Sequence, residues 1–330
     1  MTQQTAPARG DALENGFVPQ KPTLWHRMIT ANVFWIGLML IAVIVVFSLL
    51  APHSFPTLFN AQTTLIETSV LLILSVGMTF VIITAGIDLS VGSVLIFAGM
   101  MAGKTMNWAS PGGDPTNAGW GTIMLGLAVA VVAGLLWGLA NGLLIAVAKI
   151  PPLVVTLGSF GAALGAADLL NGGSDIETVP KVLNHTLGYG TSFGIVPNMV
   201  LIAAVITLIG AWLLGTTRFG RYTFAIGSNA EAARRSGIGV TRHLVLVYLL
   251  TGLLAGIAGF MSLAYYGTTT ITGHTTDNLD AISAVVIGGT SLFGGIGSMF
   301  GTVIGVFIPA VLKKGFDIIQ VPDFWQMIAV

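Results

Sequence analysis

A single carboxylate, Asp88, lies in a glycine-rich break between two apolar stretches of the chain. The break reads Gly86-Ile-Asp-Leu-Ser-Val-Gly92, and apolar sequence continues on both sides of it. Backbone that leaves a helix inside a bilayer must be satisfied by protein or by a water-filled cavity, so such breaks point to transport paths. A carboxylate at the bilayer centre costs about 2.5–3.5 kcal/mol on insertion scales and is usually paired, hydrated or functional. Asp88 and Ser90 are therefore candidate residues of a translocation path or gate.

Two further carboxylates, Glu67 and Asp168, also fall in apolar segments. Each is a candidate for the same path or gate, although each could instead pair with a neighbouring side chain or lie near the membrane interface. Alternatively, these two residues and Asp88 could bind a coupling proton or sodium ion. The five histidines are scattered without metal-ligand spacing and the chain has no cysteine, so the sequence predicts no metal site.

Two short matches to enzyme motifs lack the structural context that those motifs need. The stretch 98–105 fits only a relaxed phosphate-binding loop, and it ends an apolar segment instead of joining a strand to a helix. The stretch 190–194 matches the nucleophile elbow of hydrolases, but a chain with 43 glycines produces such matches by chance. The sequence therefore predicts no catalytic residue and no cofactor held by this chain.

A basic segment, residues 216–243, has the pattern of one short helix at the membrane surface. Ser228 or Asn229 can cap the helix, and Glu231 would lie favourably in its first turn. Gly237 would end the helix. The segment also holds five arginines: Arg218, Arg221, Arg234, Arg235 and Arg242.

This basic segment has three functional interpretations. It can be a loop that anchors the chain by the positive-inside rule, a nucleic-acid site, or a docking helix for a cytoplasmic ATPase. Arginines beside a membrane need no nucleic-acid partner, so we reject that interpretation. Small side chains at Ala232 and Ala233 would fit a groove in another protein, and flanking arginines could form charge pairs there. The docking helix is the interpretation we favour.

The composition is that of a polytopic membrane protein. Of 330 residues, 54% are hydrophobic and only 8% are charged, against about 25% in soluble domains, and the mean hydropathy is +0.89. The sequence predicts an all-α membrane protein with about ten transmembrane helices, some short or broken. The apolar segments are 31–51, 62–84, 89–106, 120–147, 152–171, 198–215, 244–266, 279–292, 296–312 and one that begins near residue 324.

The distribution of lysine and arginine predicts the orientation of these segments. The tail 1–28 and the basic segment 216–243 are expected to be cytoplasmic, and the cation-poor loops near 52–61, 172–197 and 267–278 to lie outside. A single transmembrane domain then covers 29–330. Its last span has too few residues to cross a bilayer, so we expect the natural chain to continue.

Ten spans divide into two groups of five, and an odd number in each half would invert the halves in the membrane. The glycine-rich breaks at 86–92 and 288–297 are then expected at corresponding places in the two halves. Glycines that recur every four residues predict close helix packing within one subunit. They include Gly134, Gly138 and Gly142 in one segment and Gly252 and Gly256 in another.

Three ordered motifs resemble the membrane permeases of bacterial ribose-type sugar importers of the ATP-binding-cassette (ABC) class. They are Gly77-Met-Thr with residues 86–93, the loop 220–235, and the stretch 284–295 with sequence Ala-Val-Val-Ile-Gly-Gly-Thr-Ser-Leu-Phe-Gly-Gly. The resemblance implies a subunit that passes a monosaccharide or related polar solute across the cytoplasmic (inner) membrane. It also implies three partners: an ATP-binding subunit that carries ATP and Mg, an extracytoplasmic solute-binding protein, and a second permease subunit in a homo- or heterodimer.

In this family the basic loop is expected to meet the ATP-binding subunit. The residues that match that loop are Gly227, Ser228, Asn229, Glu231, Ala232, Ala233, Arg234 and Gly237. Asp88 and Ser90 match the signature break, for which a gate or a structural role is expected rather than sugar binding. The chain would not itself be an enzyme, because ATP is hydrolysed on another subunit. An ion-coupled secondary transporter, and a channel or receptor subunit, are the alternatives from other classes.

Overall fold

The computed structural model describes residues 32–269 and 271–329 of the chain. The predicted cytoplasmic tail 1–28 lies outside the described residues. The helices before residue 172 are α1 (Asn32–Leu50), α2 (Leu58–Ile83), α3 (Val91–Trp108), a 3₁₀ turn (Pro111–Gly113), α4 (Trp120–Ala146) and α5 (Pro152–Asn171). Pro152 at the first position of α5 lacks the N–H that a helix start leaves unpaired, and Gly172 ends the helix with a φ of +63°.

The connection after α5 contains the two short strands found among the described residues. A helical turn, Lys181–Leu183, continues as a π-type turn, Asn184–Gly188, and is followed by the antiparallel pair β1 (Thr191–Ser192) and β2 (Val196–Pro197). The remaining helices are α6 (Asn198–Thr216), α7 (Arg218–Ser228), α8 (Ala230–Arg235), α9 (Val240–Tyr266), α10 (Asp277–Ile287), α11 (Met299–Ile318) and α12 (Asp323–Ala329).

Each of the ten predicted apolar segments contains one of these helices, which confirms the all-α polytopic membrane fold. Among the described residues, seven helices are long and apolar enough to cross a membrane: α1, α2, α4, α5, α6, α9 and α11. The other three are shorter or less apolar. With 11 residues, α10 measures about 16 Å at 1.5 Å per residue, roughly half of the hydrocarbon core. The prediction of short helices is also confirmed.

Helices α2 and α9 lie at the centre of the bundle, and glycines hold α4 tightly against α9. A Cβ atom added at Gly138 of α4 would lie 2.4 Å from the carbonyl oxygen of Tyr248. One added at Gly252 of α9 would lie 2.2 Å from the carbonyl oxygen of Gly134. Only glycine permits backbones to approach so closely, and this approach lets van der Waals contact stabilise helix pairs in lipid. The predicted glycine seam within one subunit is confirmed.

Helix α3 and the short helix α10 meet at their first turns. A Cβ added at Gly92, in the first turn of α3, would lie 2.4 Å from the carbonyl oxygen of His274, just before α10. Each of these helices follows the second long helix of its half of the chain, α2 or α9. This meeting of the third helix of each half fits inverted halves, which remain a prediction.

The two glycine-rich breaks lie together at one end of the bundle, so the predicted correspondence between them is wrong. The first, residues 84–90, joins α2 to α3, and the second, residues 288–298, joins α10 to α11. The backbone N–H of Gly295 donates to the carbonyl oxygen of Ile83 at 2.9 Å. Corresponding breaks of inverted halves would lie at opposite ends. The counterpart of the first break by helix order is the segment 267–276, between α9 and α10.

Two of the predicted outer loops, 172–197 and 267–278, meet at the opposite end of the bundle from the basic segment. The backbone N–H of Ile176 donates to the hydroxyl of Thr269 at 2.7 Å, which joins the loop after α5 to the loop after α9. The backbone N–H of Lys181 donates to the carbonyl oxygen of Thr116 at 3.0 Å, which adds the loop after α3. These contacts agree with the predicted assignment of the loops to one side.

Candidate coupling site

The predicted short helix in the basic segment is present as α8, Ala230–Arg235. Asn229 caps it, because its side-chain oxygen accepts from the backbone N–H of Ala232 at 2.9 Å. Glu231 in the first turn accepts hydrogen bonds from Arg234 at 2.9 Å and from Arg235 at 3.3 Å. All three charged side chains are exposed, so α8 presents a charged surface on the outside of the bundle.

A second helix in the basic segment, α7, was not predicted. It is capped by Thr217, whose hydroxyl accepts from the backbone N–H of Gly220, and it ends at Ser228. The expected alternative cap, Ser228, is therefore the last residue of α7. The apolar or small residues Phe219, Thr223 and Ile226 recur three or four positions apart, and this spacing was the signal that could have identified the helix.

Helix α7 is attached to both central helices. The hydroxyl of Thr223 and Nε2 of His243 in α9 are 2.9 Å apart and share a buried hydrogen bond. The ring of Phe219 packs against that of Phe80 in α2, with centroids 5.7 Å apart. Helix α7 is therefore in direct contact with both α2 and α9.

The two alanines of α8 face different directions, which corrects one part of the predicted docking surface. Ala232 is exposed, as a docking residue requires. Ala233 is buried, with 5% of its surface accessible, and it packs with Ile226 of α7 and Val240 of α9. Consecutive helical residues point about 100° apart, and the sequence alone did not show which alanine faced the bundle. Ala233 holds α8 to the bundle and is not available to a partner.

The end of α7 packs directly on the end of α2, at a contact that we call the junction, formed by Gly227, Ile83 and Gly295. A Cβ added at Gly227 would lie 1.7 Å from the carbonyl oxygen of Ile83 and 2.6 Å from the backbone nitrogen of Gly295. The same Ile83 oxygen accepts the hydrogen bond from Gly295. The junction thus brings the basic segment and both glycine-rich breaks into backbone contact.

The turn after α10, which belongs to the second break, also contacts the end of α7. Gly294 and Gly295 have φ angles of +83° and +74°, in the left-handed region that favours glycine. A Cβ added at Gly295 would lie 2.5 Å from the hydroxyl oxygen of Ser228. The three motifs that are far apart in sequence, around residues 86–93, 220–235 and 284–295, are therefore neighbours in the fold.

Asp88 is buried and forms hydrogen bonds within the first break. Its Oδ1 accepts from the backbone N–H of Ser90 at 2.9 Å and from the Ser90 hydroxyl at 2.6 Å. The Ser90 hydroxyl in turn accepts from Nδ2 of Asn141 in α4 at 2.9 Å. The hydroxyl of Ser159 in α5 donates to Oδ1 of Asn141. This polar network connects the break to α4 and α5.

Sequence reasoning missed Asn141 and Ser159 as parts of this network. Each is a polar residue within a long, mainly apolar helix, which was the available signal. The hydroxyl of Tyr248 also borders the break, 2.7 Å from the position of a Cβ on Gly86. These hydrogen bonds favour a structural role for Asp88 and Ser90 in the break, one of the two roles expected from their motif, and that role stays a prediction.

We expect Asp88→Ala to destabilise the break and Asp88→Asn to preserve it. Alanine would leave the buried N–H and hydroxyl of Ser90 without their acceptor, at about 1–3 kcal/mol for each such group. Asparagine keeps the Oδ1 acceptor, removes the charge and replaces the second carboxylate oxygen with an NH₂ donor. Thermal unfolding in detergent and solute uptake into proteoliposomes should be measured for both variants. A structural role would be contradicted if Asp88→Ala were as stable and active as wild type, or if Asp88→Asn lost uptake at unchanged stability.

The other two candidate carboxylates lie away from the junction. Glu67 of α2 pairs with Lys314 of α11 at 3.3 Å, and its side chain is 44% exposed. Asp168 of α5 is partly exposed, and no side-chain hydrogen bond or ion pair joins it to another described residue. The structure does not bring either residue together with Asp88. Among the described residues, no group of three or more histidine or acidic side chains could hold a metal ion.

The chain is similar to known transport proteins over most of its length. A family described as the permease component of branched-chain amino acid transport systems matches residues 60–330. The ribose import permease protein RbsC of Escherichia coli (strain K12) is 38% identical over 292 residues, covering 88% of this chain and 87% of that protein. The xylose transport system permease protein XylH of Haemophilus influenzae is 31% identical, covering 88% and 92% respectively. The fructose import permease protein FrcC of Rhizobium meliloti is 31% identical, covering 89% and 80%. No solved structure matches the chain significantly.

Proposed function

We propose a function from the premise that this chain belongs to the family of transport-system permease components that matches residues 60–330. The chain is the membrane subunit through which a monosaccharide, or a related polar solute, crosses the cytoplasmic membrane. ATP is hydrolysed, with its Mg, on a separate cytoplasmic subunit. The curated relatives are named for ribose, xylose and fructose, which makes a monosaccharide the best-supported solute class. The permease chain performs no chemistry of its own.

The observation that carries this proposal is the junction between the basic segment and the two breaks. An importer driven by an external ATPase needs a surface that the ATPase can hold and a rigid connection from that surface to the path. Helix α8 offers an exposed, charged surface. Gly227 connects it to Ile83 and Gly295 through backbone contact, and Ile83 lies five residues before Asp88. Close-packed backbone transmits displacement because it has little room to deform.

The side on which the ATP-binding subunit docks follows from charge. The basic segment carries five arginines, and cations accumulate in short loops on the cytoplasmic side. This charge pattern supports a cytoplasmic position for α7, α8 and the amino-terminal tail of a chain embedded in the bacterial inner membrane. The solute-binding protein would then dock on the opposite end, where the loops after α3, α5 and α9 cluster.

A second permease subunit is the remaining partner in this proposal. Helix α5 has an exposed face on which Cβ atoms added at Gly158, Gly161 and Gly165 would meet nothing within 4 Å. Small residues at such spacing let a second helix approach closely in lipid. The exposed face supports a homo- or heterodimer. Membrane lipid would surround the rest of the subunit. The proposal includes no nucleic-acid partner.

Uptake into proteoliposomes tests the proposal. The complete importer, with its ATP-binding subunit and solute-binding protein, should take up labelled ribose, xylose or fructose only when ATP is supplied. Vanadate should stop uptake, and a proton or sodium ionophore should leave it unchanged. Uptake that collapses with the ionophore and continues with vanadate would identify an ion-coupled transporter instead. Flux or signalling without either partner would identify a channel or receptor subunit.

The structure offers the ion-coupled alternative little support. Its three candidate carboxylates do not form one site: Glu67 pairs with Lys314, Asp88 bonds to Ser90, and Asp168 lies on a different helix. An ion pathway normally brings acidic residues together inside the bundle or around a water-filled cavity. We therefore keep the ATP-driven importer as the proposed function.

A further inference from the structure

A short turn next to the junction exposes three large apolar side chains. The turn runs from Ser291 to Ile296 in the second glycine-rich break. Phe293 is 92% exposed, Ile296 is 66% exposed and Leu292 is 46% exposed. We call these three side chains the apolar turn. A contiguous exposed apolar patch often marks an interaction site for a protein or a membrane.

The apolar turn is held in one conformation by its own hydrogen bonds. The backbone N–H of Ser291 donates to the carbonyl oxygen of Ile296 at 3.0 Å, and that of Gly294 donates to the carbonyl oxygen of Ser291 at 3.0 Å. The hydroxyl of Ser291 accepts from the backbone N–H of Phe293 at 3.2 Å. A turn whose backbone is fixed in this way loses little backbone entropy on binding, which favours its use as an anchor.

The turn is also continuous with the basic segment. Gly294 and Gly295, within the turn, pack on Gly227 and Ser228 at the end of α7. The exposed charges of Glu231 and its arginine partners follow within a few residues on α8. Together these elements form one surface with an apolar part beside a charged part. Protein interfaces typically combine an apolar centre, often aromatic, with a polar rim.

We propose that the apolar turn is a second docking element for the ATP-binding subunit, which receives Phe293 in an apolar pocket. This inference rests on the proposed function and extends its contact surface. The ATP-binding subunit is the occupant that fits, because the turn lies on the arginine-bearing end and directly contacts the segment where that subunit docks. The solute-binding protein is excluded from this end by the membrane.

A second contact would explain how a partner moves the break. A partner that contacted α8 alone could move that helix without exerting force on the junction. A partner that binds both α8 and the apolar turn is connected to both sides of the junction, to Gly227 through α8 and to Gly295 through the turn. Any change in their separation then acts directly on Ile83, whose carbonyl oxygen contacts both.

Copurification of the full complex tests this docking element. Phe293→Ser should weaken retention of the ATP-binding subunit at least about tenfold, as loss of a buried aromatic anchor does. Phe300→Ser is the matched control, because Phe300 is also exposed, at 68%, but lies on α11 outside the turn. It should leave retention unchanged. Equal retention for Phe293→Ser and wild type would overturn the inference.

Thiol labelling supplies an independent readout, since the chain has no cysteine of its own. Phe293→Cys in membranes should react with a maleimide at least about tenfold more slowly when the ATP-binding subunit is bound than when it has been stripped away. Slow labelling both with and without that subunit would mean that lipid covers the turn, and would overturn the inference. Equally fast labelling in both states would overturn it as well.

Comparing two substitutions distinguishes a failure of this inference from a failure of the proposed docking site on α8. If Ala232→Arg releases the ATP-binding subunit while Phe293→Ser does not, docking at α8 stands and the apolar turn is not part of it. If neither substitution affects retention, the proposed docking site itself is wrong. If Phe293→Ser alone releases the subunit, the apolar turn is confirmed as a docking element and the assignment of α8 is overturned.

Discussion

Gly227→Ala is expected to abolish solute uptake by the assembled importer while leaving the ATP-binding subunit bound. The added Cβ would lie 1.7 Å from the carbonyl oxygen of Ile83, and the nearest atoms are backbone, which cannot rotate away. Either α7 or the end of α2 must move, and the hydrogen bond from Gly295 to Ile83 would be lost or distorted. Helix α8 remains exposed and able to bind its partner. We therefore expect ATP hydrolysis to persist while uptake falls by more than about tenfold, equivalent to 1.4 kcal/mol or more at the transition state.

Gly215→Ala is the control for this substitution. A Cβ added at Gly215, near the end of α6, would meet nothing within 4 Å. Alanine is also the better helix former, so the control variant should be at least as stable as wild type and fully active. Uptake into proteoliposomes and ATP hydrolysis should be measured in parallel for both variants. Wild-type uptake by Gly227→Ala would show that the junction does not transmit the motion.

Ala232→Arg is expected to release the ATP-binding subunit from an intact, membrane-inserted permease. Ala232 is exposed on α8, so the longer side chain disturbs no internal packing, and arginine is a good helix former. It would instead place bulk and a positive charge in the middle of the proposed contact. Interface centres tolerate such a change poorly, and a loss of 2 kcal/mol or more would weaken binding by about thirtyfold. Copurification and ATP-dependent uptake should both be lost.

Two further variants separate docking from folding. Thr241→Arg introduces the same side chain at an exposed position in the first turn of α9, and it should retain the partner. Ala233→Arg places the charge in the buried contact with Ile226 and Val240, so it should detach α8 and lower the thermal stability of the chain. Retention of the ATP-binding subunit by Ala232→Arg, with normal uptake, would remove α8 from the docking surface.

Local sequence patterns predicted the helices well because lipid imposes them. Apolar length, the absence of charge and the flanking glycines located all ten segments, including the half-length α10. The cap and charge pattern around Asn229 and Glu231 likewise predicted α8. In each case the stabilising interaction lies within a few residues, so the sequence contains it in full.

The junction could not be predicted, because it depends on which backbones meet. Gly227, Ile83 and Gly295 are separated by long stretches of chain, and neither glycine has a side chain that indicates a partner. The burial of Ala233 and the bond between Ser90 and Asn141 depend on packing between helices in the same way. The two glycine-rich breaks were placed as counterparts from approximate position alone. The first break follows the second apolar helix of its half and the second break follows the third, so both lie at the same end.

The most direct test of the coupling account is the reactivity of a single thiol in the first break. Leu89→Cys lies between Asp88 and Ser90, in a chain that has no other cysteine. In the complete importer, trapping nucleotide with vanadate should change the maleimide labelling rate of this thiol by about tenfold or more. A change of about 1.4 kcal/mol in the equilibrium between two conformations of the break is enough for this effect. When nucleotide is trapped in the Gly227→Ala variant, the labelling rate at position 89 should not change. A labelling rate that is identical with and without trapped nucleotide, in an importer that transports, would contradict the account.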